Sequence, residues 1–132
     1  MRLESDLGEY LLACADYSLG TLRPPKFSDE RALTVVMAAN GYPGTPEKGG
    51  AIDGIAKAEA GGAKVFHAGT ALAEGRLVAS GGRVLNVTAL GSSVAEAQGA
   101  AYAAVDALDF PTGFCRRDIG WREIEREAAS GA

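Results

Sequence analysis

Short runs of hydrophobic residues, separated by turn residues, occupy the middle of the chain and predict β-strands. The runs are rich in β-branched and other apolar residues and are bounded by turn residues, which is typical of an antiparallel sheet or a barrel-like sandwich. The predicted strands are 33–39, 64–67, 76–79 and 83–90, with shorter candidates at 52–55 and 114–119. Gly-containing segments at 40–50, 72–75 and 81–82 are predicted loops or turns.

The first helix is predicted over 5–19 because apolar residues recur at helical spacing. These positions are Leu3, Leu7, Leu11 and Cys14. Ser5 or Asp6 can cap the N-terminus by accepting hydrogen bonds from free backbone N–H groups, and Gly20 is expected to end the helix. An amphipathic helix must bury its apolar side. We therefore expect it to pack on its own sheet or on a second copy of the chain, with a neighbouring domain as the alternative.

The clearest helix is predicted over 93–108. Ser93 and Glu96 have the spacing of a capping box. The apolar face consists of Val94, Ala97, Ala101, Val105 and Leu108. The many alanines allow this helix to lie close to a sheet, and a weaker helix follows at 121–129, which is expected to fray. A small antiparallel sheet with one packed helix makes the expected fold class α+β.

Composition and charge narrow the class of protein. The 132 residues fit a single domain. The 18 glycines are about twice the usual share of roughly 7%, and with few aromatic residues they indicate tight turns and a small core. A net charge of −4 without a basic stripe argues against nucleic acid as a partner. No apolar run suits a membrane span or a signal peptide, so we expect a cytoplasmic protein.

Residues that bind metals or act as nucleophiles are sparse. One histidine and two separated cysteines exclude a structural zinc site, and Cys14 and Cys115 are expected to be free, buried thiols. Acidic residues are scattered and predict no metal site. His67, at a strand end before Thr70, is interpreted as a residue bonded to the backbone rather than as a catalytic base.

Two glycine-rich segments can bring backbone groups close to an anion. The loop 41–50 carries Tyr42 and Lys48 but lacks the spacing of a Walker phosphate loop. Lysines on hairpins also carry biotin or lipoate in some domains, but the residues beside Lys48 do not match those settings. Gly81-Gly82 places Arg83 at the first residue of a strand, where its guanidinium can bind a phosphate through two hydrogen bonds.

Several sequence blocks carry a resemblance over about 30–122. They read Ala-Leu-Thr-Val-Val-Met-Ala-Ala at 32–39, Gly-Tyr-Pro-Gly at 41–44, Lys-Gly at 48–49, Val-Phe-His-Ala-Gly-Thr at 65–70, Gly-Gly-Arg-Val-Leu-Asn-Val-Thr-Ala-Leu-Gly at 81–91, Ala-Tyr at 101–102, Phe114, and Arg-Arg-Asp-Ile-Gly at 116–120. In this order they resemble the C-terminal domain of the phosphoribosylamine–glycine ligase family, also called glycinamide ribonucleotide synthetase. Residues 2–7 are similar to the stretch after the metal-binding end of the family's ATP-grasp region.

The resemblance implies a ligase of de novo purine synthesis. The family's enzyme uses ATP to phosphorylate the carboxylate of glycine, and the amine of 5-phosphoribosylamine attacks the glycyl phosphate to give glycinamide ribonucleotide. Magnesium or manganese bridges the ATP phosphates in that enzyme. The family's nucleotide loop and acidic metal ligands have no counterpart here. We therefore expect a C-terminal fragment that is inactive alone and binds no cofactor.

The resemblance also implies domain boundaries and site residues. The expected units are 1–31, a helix and connector at the end of the ATP-grasp region; 32–122, the C-terminal domain in a rudimentary hybrid-barrel style; and 123–132, a frayed tail. Arg83 is expected to bind the phosphate of phosphoribosylamine, with Lys48 and Tyr42 as second candidates.

The partners that the resemblance implies are the rest of the ligase chain and phosphoribosylamine. An apolar helix without its natural packing surface also suggests a homodimer of the fragment. The alternative function is an independent β-rich binding or interaction module with the same fold. An ATP-grasp core encoded in frame upstream would favour the ligase.

Overall fold

The structure, a computed structural model, describes residues 1–130 and has the predicted α+β architecture. In chain order the elements are α1 (Leu7–Ala15), a 3₁₀ turn (Leu19–Thr21), β1 (Arg31–Ala39), α2 (Ile55–Glu59), β2 (Lys64–His67), β3 (Thr70–Ala73), β4 (Arg76–Ala79), β5 (Arg83–Gly91), α3 (Val94–Ala107), β6 (Gly113–Phe114) and α4 (Trp121–Ser130). Four strands form an antiparallel sheet in the order β2-β5-β1-β6, and β3 and β4 form a separate hairpin. The prediction of a small antiparallel sheet with one packed helix is confirmed.

One face of the four-stranded sheet is covered by α3 and forms the core. The buried strand residues on this face include Leu33, Val35, Met37, Val65, Leu85, Val87 and Ala89. The helix meets them mainly with small side chains, Ala97, Ala101 and Ala104. Small helical side chains bring the helix axis close to the strands, so the aliphatic strand residues fill the space between the two layers.

The opposite face of the sheet is open and carries side chains that alternate with the core residues. Val36 on β1, Phe66 on β2 and Phe114 on β6 are each 40–44% exposed on this face. The hydroxyls of Thr34 and Thr88 lie opposite each other and share a hydrogen bond of 2.8 Å. This open face is therefore apolar at several outward positions, whereas a solvated sheet face is usually polar.

A β-bulge in β5 changes which face its first residue occupies. Met37 of β1 pairs with Leu85, but the next β1 residue pairs with Arg83, so Val84 is an extra residue. Val84 and Leu85 are both fully buried, although neighbours in a regular strand point to opposite faces. The bulge therefore places Arg83 on the open face, the same face as Asn86.

The N-terminal helix is shorter than the predicted 5–19. Asp6 caps α1 by accepting a hydrogen bond from the backbone N–H of Gly8 at 2.8 Å. The helix ends before Tyr17, which has a positive φ of 57°, so the prediction that Gly20 ends it is wrong. The three leucines of α1, Leu7, Leu11 and Leu12, are 55–64% exposed. The helix therefore does not bury its apolar side on the sheet.

The C-terminal segment is helical and joined to the domain. The sequence predicts a weak helix at 121–129 and a frayed tail at 123–132. In the structure α4 runs to Ser130, and residues 131–132 lie outside the described residues. The Glu127 carboxylate accepts a hydrogen bond of 3.0 Å from the backbone N–H of Val94 at the start of α3. It also pairs with Arg31 at 3.3 Å. One side chain therefore connects α4 to α3 and to β1.

Three local predictions are wrong. Segment 52–55 is not a strand, since it contributes only an isolated bridge and its last residue begins α2. Segment 72–75 is not only a turn, since β3 continues through its first two residues. The last strand is Gly113–Phe114 and not 114–119.

Candidate functional site

A cavity of about 530 Å³ opens on the sheet face opposite α3. Its lining residues are Val36, Tyr42, Ala68, Gly69, Gly82, Arg83 and Asn86. Three segments of the chain meet here: the end of β1 with its following loop, the turn after β2, and the start of β5. The cavity therefore combines one guanidinium, one phenol and one amide with glycine backbone, and we call it the Arg83 pocket.

Arg83 supplies the positive charge of the pocket. Its side chain is exposed and has no ion-pair partner among residues 1–130. A guanidinium presents planar N–H groups that match two oxygens of a phosphate or carboxylate. Because no protein carboxylate occupies it, this group remains available for an anionic ligand.

Tyr42 forms a wall of the pocket by packing on Gly82. A Cβ atom at Gly82 would lie 2.4 Å from Cδ2 and 3.0 Å from Cε2 of the Tyr42 ring. The loop that carries Tyr42 is tied to the end of β1, because the Tyr42 N–H donates to the carbonyl of Ala39 at 3.1 Å. The glycine next to Arg83 is therefore needed to seat the aromatic ring beside the guanidinium.

The floor of the pocket is a close crossing of backbone segments. The carbonyl of Gly69 accepts hydrogen bonds from the N–H groups of Ser80 and Gly81, at 2.8 and 3.1 Å. A Cβ atom at Gly69 would lie 2.5 Å from the carbonyl oxygen of Arg83 and 2.9 Å from Cα of Gly81. Glycine at this position lets the turn after β2 lie directly against the start of β5.

Comparison with known proteins shows which family this chain matches. The family described as "Phosphoribosylglycinamide synthetase, C domain" matches residues 32–122. The chain belongs to this family. The resemblance stated from the sequence is therefore confirmed, and the Arg83 pocket lies in the C domain of the family.

Relatives that are named phosphoribosylamine–glycine ligase match almost the whole chain. The chain is 58% identical over 130 residues to the phosphoribosylamine–glycine ligase of Mesorhizobium japonicum, covering 98% of this chain and 30% of that protein. It is 49% identical over 128 residues to the ligase of Escherichia coli, covering 96% of this chain and 30% of that protein. The chain thus spans about 30% of the length of these relatives.

A solved structure has the same fold. The crystal structure of phosphoribosylamine–glycine ligase from Thermotoga maritima matches with a TM-score of 0.63 and 31% sequence identity. The match covers 86% of this chain and 28% of that one. The α+β architecture is therefore found within a ligase of this name.

A second cavity of about 270 Å³ lies beside the Arg83 pocket on the open face of this C domain. Tyr42 and Arg83 line both cavities, and Phe114 and Arg116 line only the second. The Arg116 guanidinium donates two hydrogen bonds to Asp118, at 2.9 and 2.6 Å, which raise the pKa of Arg116 and lower the pKa of Asp118. Arg116 is therefore engaged within the domain, in contrast to Arg83.

The structure does not bring every candidate residue to the pocket. Lys48 lines neither cavity on the open face, and its loop is held near β4, where the N–H of Gly49 donates to the carbonyl of Ala79 at 2.7 Å. His67 and Thr70 form a local pair, with 3.1 Å between Nδ1 and Oγ1, and neither lines the Arg83 pocket. Of the predicted site residues, Arg83 and Tyr42 are together and Lys48 is separate.

Asn86 lines the pocket and was not singled out from the sequence. It lies in the middle of β5, is half-buried, and pairs with Val36 on one side and Phe66 on the other. Asparagine is depleted in strands, because its short polar side chain favours turns. An asparagine inside the longest predicted strand is the signal that could have identified this residue.

Possible metal ligands do not cluster in the described part of the chain. Within residues 1–130, no three His, Cys, Asp or Glu side chains come together as a group that could hold a metal ion. Both cysteines are free, but Cys14 is exposed and Cys115 is half-buried, so the prediction of buried thiols is wrong for Cys14. No helix among the described residues has the length and apolar character of a membrane span.

Proposed function

We propose that this chain is the C-terminal domain of a phosphoribosylamine–glycine ligase of purine biosynthesis. In the proposed reaction, ATP phosphorylates the carboxylate of glycine, and the amine of 5-phosphoribosylamine displaces phosphate to form the amide of glycinamide ribonucleotide. The identity of 58% to a protein of that name, over 98% of this chain, supports the proposal.

The ATP-grasp chemistry is assigned to the remaining part of the ligase. The relatives are more than three times as long as this chain, since it covers 30% of them. We propose that ATP and its magnesium or manganese ion are held in the part of the ligase that this chain does not cover. We therefore expect no turnover by the chain alone. Glycine-dependent ADP release by this polypeptide without any other protein would contradict that assignment.

The domain is proposed to begin at residue 32 and to contact the rest of the ligase. The family match over 32–122 supports that boundary, with 1–31 as a connecting segment. The exposed leucines of α1 and the apolar open face supply surface for this contact, since exposed apolar patches on small domains commonly mark interfaces. The ligase would act in the cytoplasm.

The Arg83 pocket is proposed to bind the phosphate of phosphoribosylamine. The observation that carries this proposal is the bulge in β5. It places on the open face, beside Tyr42, a guanidinium that has no ion-pair partner among residues 1–130. Bulges are frequent next to binding sites because they redirect a side chain out of the regular alternation. Lys48 remains a second candidate that would contribute only if its loop approached the ligand.

The test is substitution in the full-length ligase. Arg83→Ala removes the charge-assisted hydrogen bonds to phosphate and should raise the KM for phosphoribosylamine about ten- to hundredfold, with unchanged KM values for ATP and glycine. Arg76→Ala is the matched control, because Arg76 is an exposed strand arginine that does not line the pocket. An unchanged KM for phosphoribosylamine in Arg83→Ala would contradict the phosphate site.

A further inference from the structure

The side-chain amide of Asn86 lacks a partner in the described part of the protein. No hydrogen bond joins it to any group of residues 1–130, although it is half-buried and lines the Arg83 pocket. The amide atoms of Asn86 are not among the fully buried unpaired side-chain atoms of residues 1–130, so they are open to the pocket and to water. The hydrogen-bonding capacity of Asn86 is therefore available to a ligand that enters the pocket.

The neighbours of Asn86 in the sheet favour an apolar residue at this position over an asparagine. The side chains opposite it are Val36 on β1 and Phe66 on β2, and both are apolar. A β-branched or aromatic residue would pack better between them and would suit the strand better than asparagine. Positions where a sequence departs from local structural preference are frequently functional.

Thr88, the next outward residue on β5, shows how a polar strand residue is satisfied within the sheet. Its hydroxyl pairs with that of Thr34 at 2.8 Å, and the residue is only 5% exposed. Thr88 and Asn86 lie on the same face and the same strand, but only Thr88 has a cross-strand polar partner. The two positions therefore separate a structural polar residue from one that is open to a ligand.

We infer that Asn86 is a ligand-recognition residue that hydrogen-bonds the ribose hydroxyls of the substrate whose phosphate Arg83 binds. The inference rests on the proposed function. An amide can donate to one hydroxyl and accept from another, which suits the two neighbouring hydroxyls of a ribose. At about 3.3 Å per strand residue, Arg83 and Asn86 lie roughly 10 Å apart along β5 or less, because the bulge shortens the strand. Their side chains can thus reach the two ends of a phosphorylated pentose.

The experiment uses the full-length ligase and the variant Asn86→Val. The KM for phosphoribosylamine should rise about three- to tenfold, as expected for the loss of one or two neutral hydrogen bonds. The values of kcat and of the KM for ATP and glycine should stay close to wild type, since the lost contact is a binding contact. The melting temperature should stay the same or rise, because valine is the better strand residue.

Thr88→Val is the matched control on the same strand face. It leaves the Thr34 hydroxyl without its partner, so the melting temperature should fall while the KM for phosphoribosylamine stays unchanged. If the role of Asn86 were purely structural, Asn86→Val would behave like Thr88→Val, with a lower melting temperature and an unchanged KM for phosphoribosylamine. A lower melting temperature with an unchanged KM in Asn86→Val would therefore overturn the inference.

The sugar supplies an independent readout. Ribose 5-phosphate and its 2-deoxy and 3-deoxy forms are tested as competitive inhibitors against phosphoribosylamine. Wild-type ligase should prefer ribose 5-phosphate to at least one deoxy form, and Asn86→Val should lose most of that preference. If wild-type ligase and Asn86→Val showed the same preference for ribose 5-phosphate over its deoxy forms, the inference would also be overturned. If Arg83→Ala is impaired but Asn86→Val is not, the phosphate site stands and only the role of Asn86 fails; if neither is impaired, the pocket itself is rejected.

Discussion

Replacing Gly69 by alanine should destabilise the domain strongly, although it adds one methyl group. The new Cβ would lie 2.5 Å from the carbonyl oxygen of Arg83 and 3.0 Å from the nitrogen of Gly81, and both are backbone atoms that cannot rotate away. The backbone segments must therefore separate by close to 1 Å, because ordinary van der Waals contacts of a Cβ atom lie at 3.4–4 Å.

The magnitude follows from the hydrogen bonds at the crossing. Gly69 accepts from Ser80 and Gly81, and its own N–H donates to the carbonyl of Val84 at 3.2 Å. Each such bond contributes about 0.5–1.5 kcal/mol net, and overpacking costs about 1–3 kcal/mol. Since separation weakens at least two of the three bonds, we expect Gly69→Ala to lower the free energy of unfolding by about 2–4 kcal/mol.

The assay is urea denaturation of the domain followed by circular dichroism. Gly61→Ala is the control, because a Cβ there meets nothing within 4 Å and should change the free energy of unfolding by less than about 0.5 kcal/mol. Gly82→Ala is a second comparison, since its Cβ meets the movable ring of Tyr42 and should mainly affect the pocket. If Gly69→Ala were as stable as Gly61→Ala, the close crossing would not exist as described.

Three further predictions concern side chains outside the pocket. Glu127→Gln removes the charge that joins α4 to α3 and β1, and should lower the free energy of unfolding by about 0.5–1.5 kcal/mol in the same denaturation assay. Hydrogen bonds from the hydroxyl and backbone N–H of Ser92 lower the pKa of Glu96. The stability that Glu96 contributes is thus present above the ordinary carboxyl pKa of 4.5 and is lost as the pH falls through its lowered value, so melting curves of wild type and Glu96→Gln should converge on acidification. Burial raises the pKa of the Cys115 thiol, so Ellman's reagent should label the exposed Cys14 quickly and Cys115 slowly; a single fast phase for both would contradict this.

Hydrophobic patterning predicted the elements that contact the core. The predicted strands 64–67 and 76–79 have the observed bounds, and the helix predicted over 93–108 is observed at 94–107. These segments have a regular apolar period and clear end signals, so local sequence and tertiary packing agree. Ser93 caps α3 as predicted, although Glu96 bonds Ser92 rather than the N–H of Ser93 as a capping box requires.

The errors fall where the pattern carries little information. The strand β3 contains two alanines and has no clear apolar period, so the sequence predicts a turn over its second half. The end of α1 depends on the backbone conformation of Tyr17, a residue type that seldom adopts a positive φ. Residues 115–119 read Cys-Arg-Arg-Asp-Ile and carry little apolar pattern, and β6 stops at Phe114. In each case the deciding factor is backbone geometry or tertiary contact.

The sequence indicated part of the pocket lining, but not the geometry of the pocket. Arg83 and Tyr42 follow from glycine-rich motifs, and the structure places both at one pocket. Lys48 belongs to an equally suggestive motif but lies elsewhere, since loop paths are not determined by spacing. The bulge at Val84 gives no clear signal in a run of apolar residues, so the face occupied by Arg83 could not be derived from the strand period.

The bulge also makes the pairing of β5 with β1, and not only residue identity, a determinant of where Arg83 points. The two parts of β5 on either side of Val84 have opposite phase in the alternation of side chains between the faces. If Val84 instead paired regularly opposite Ala38, Arg83 would point into the layer beneath α3, where an unpaired guanidinium costs several kcal/mol. The burial of Val84 in the core therefore supports the pairing that keeps Arg83 on the open face.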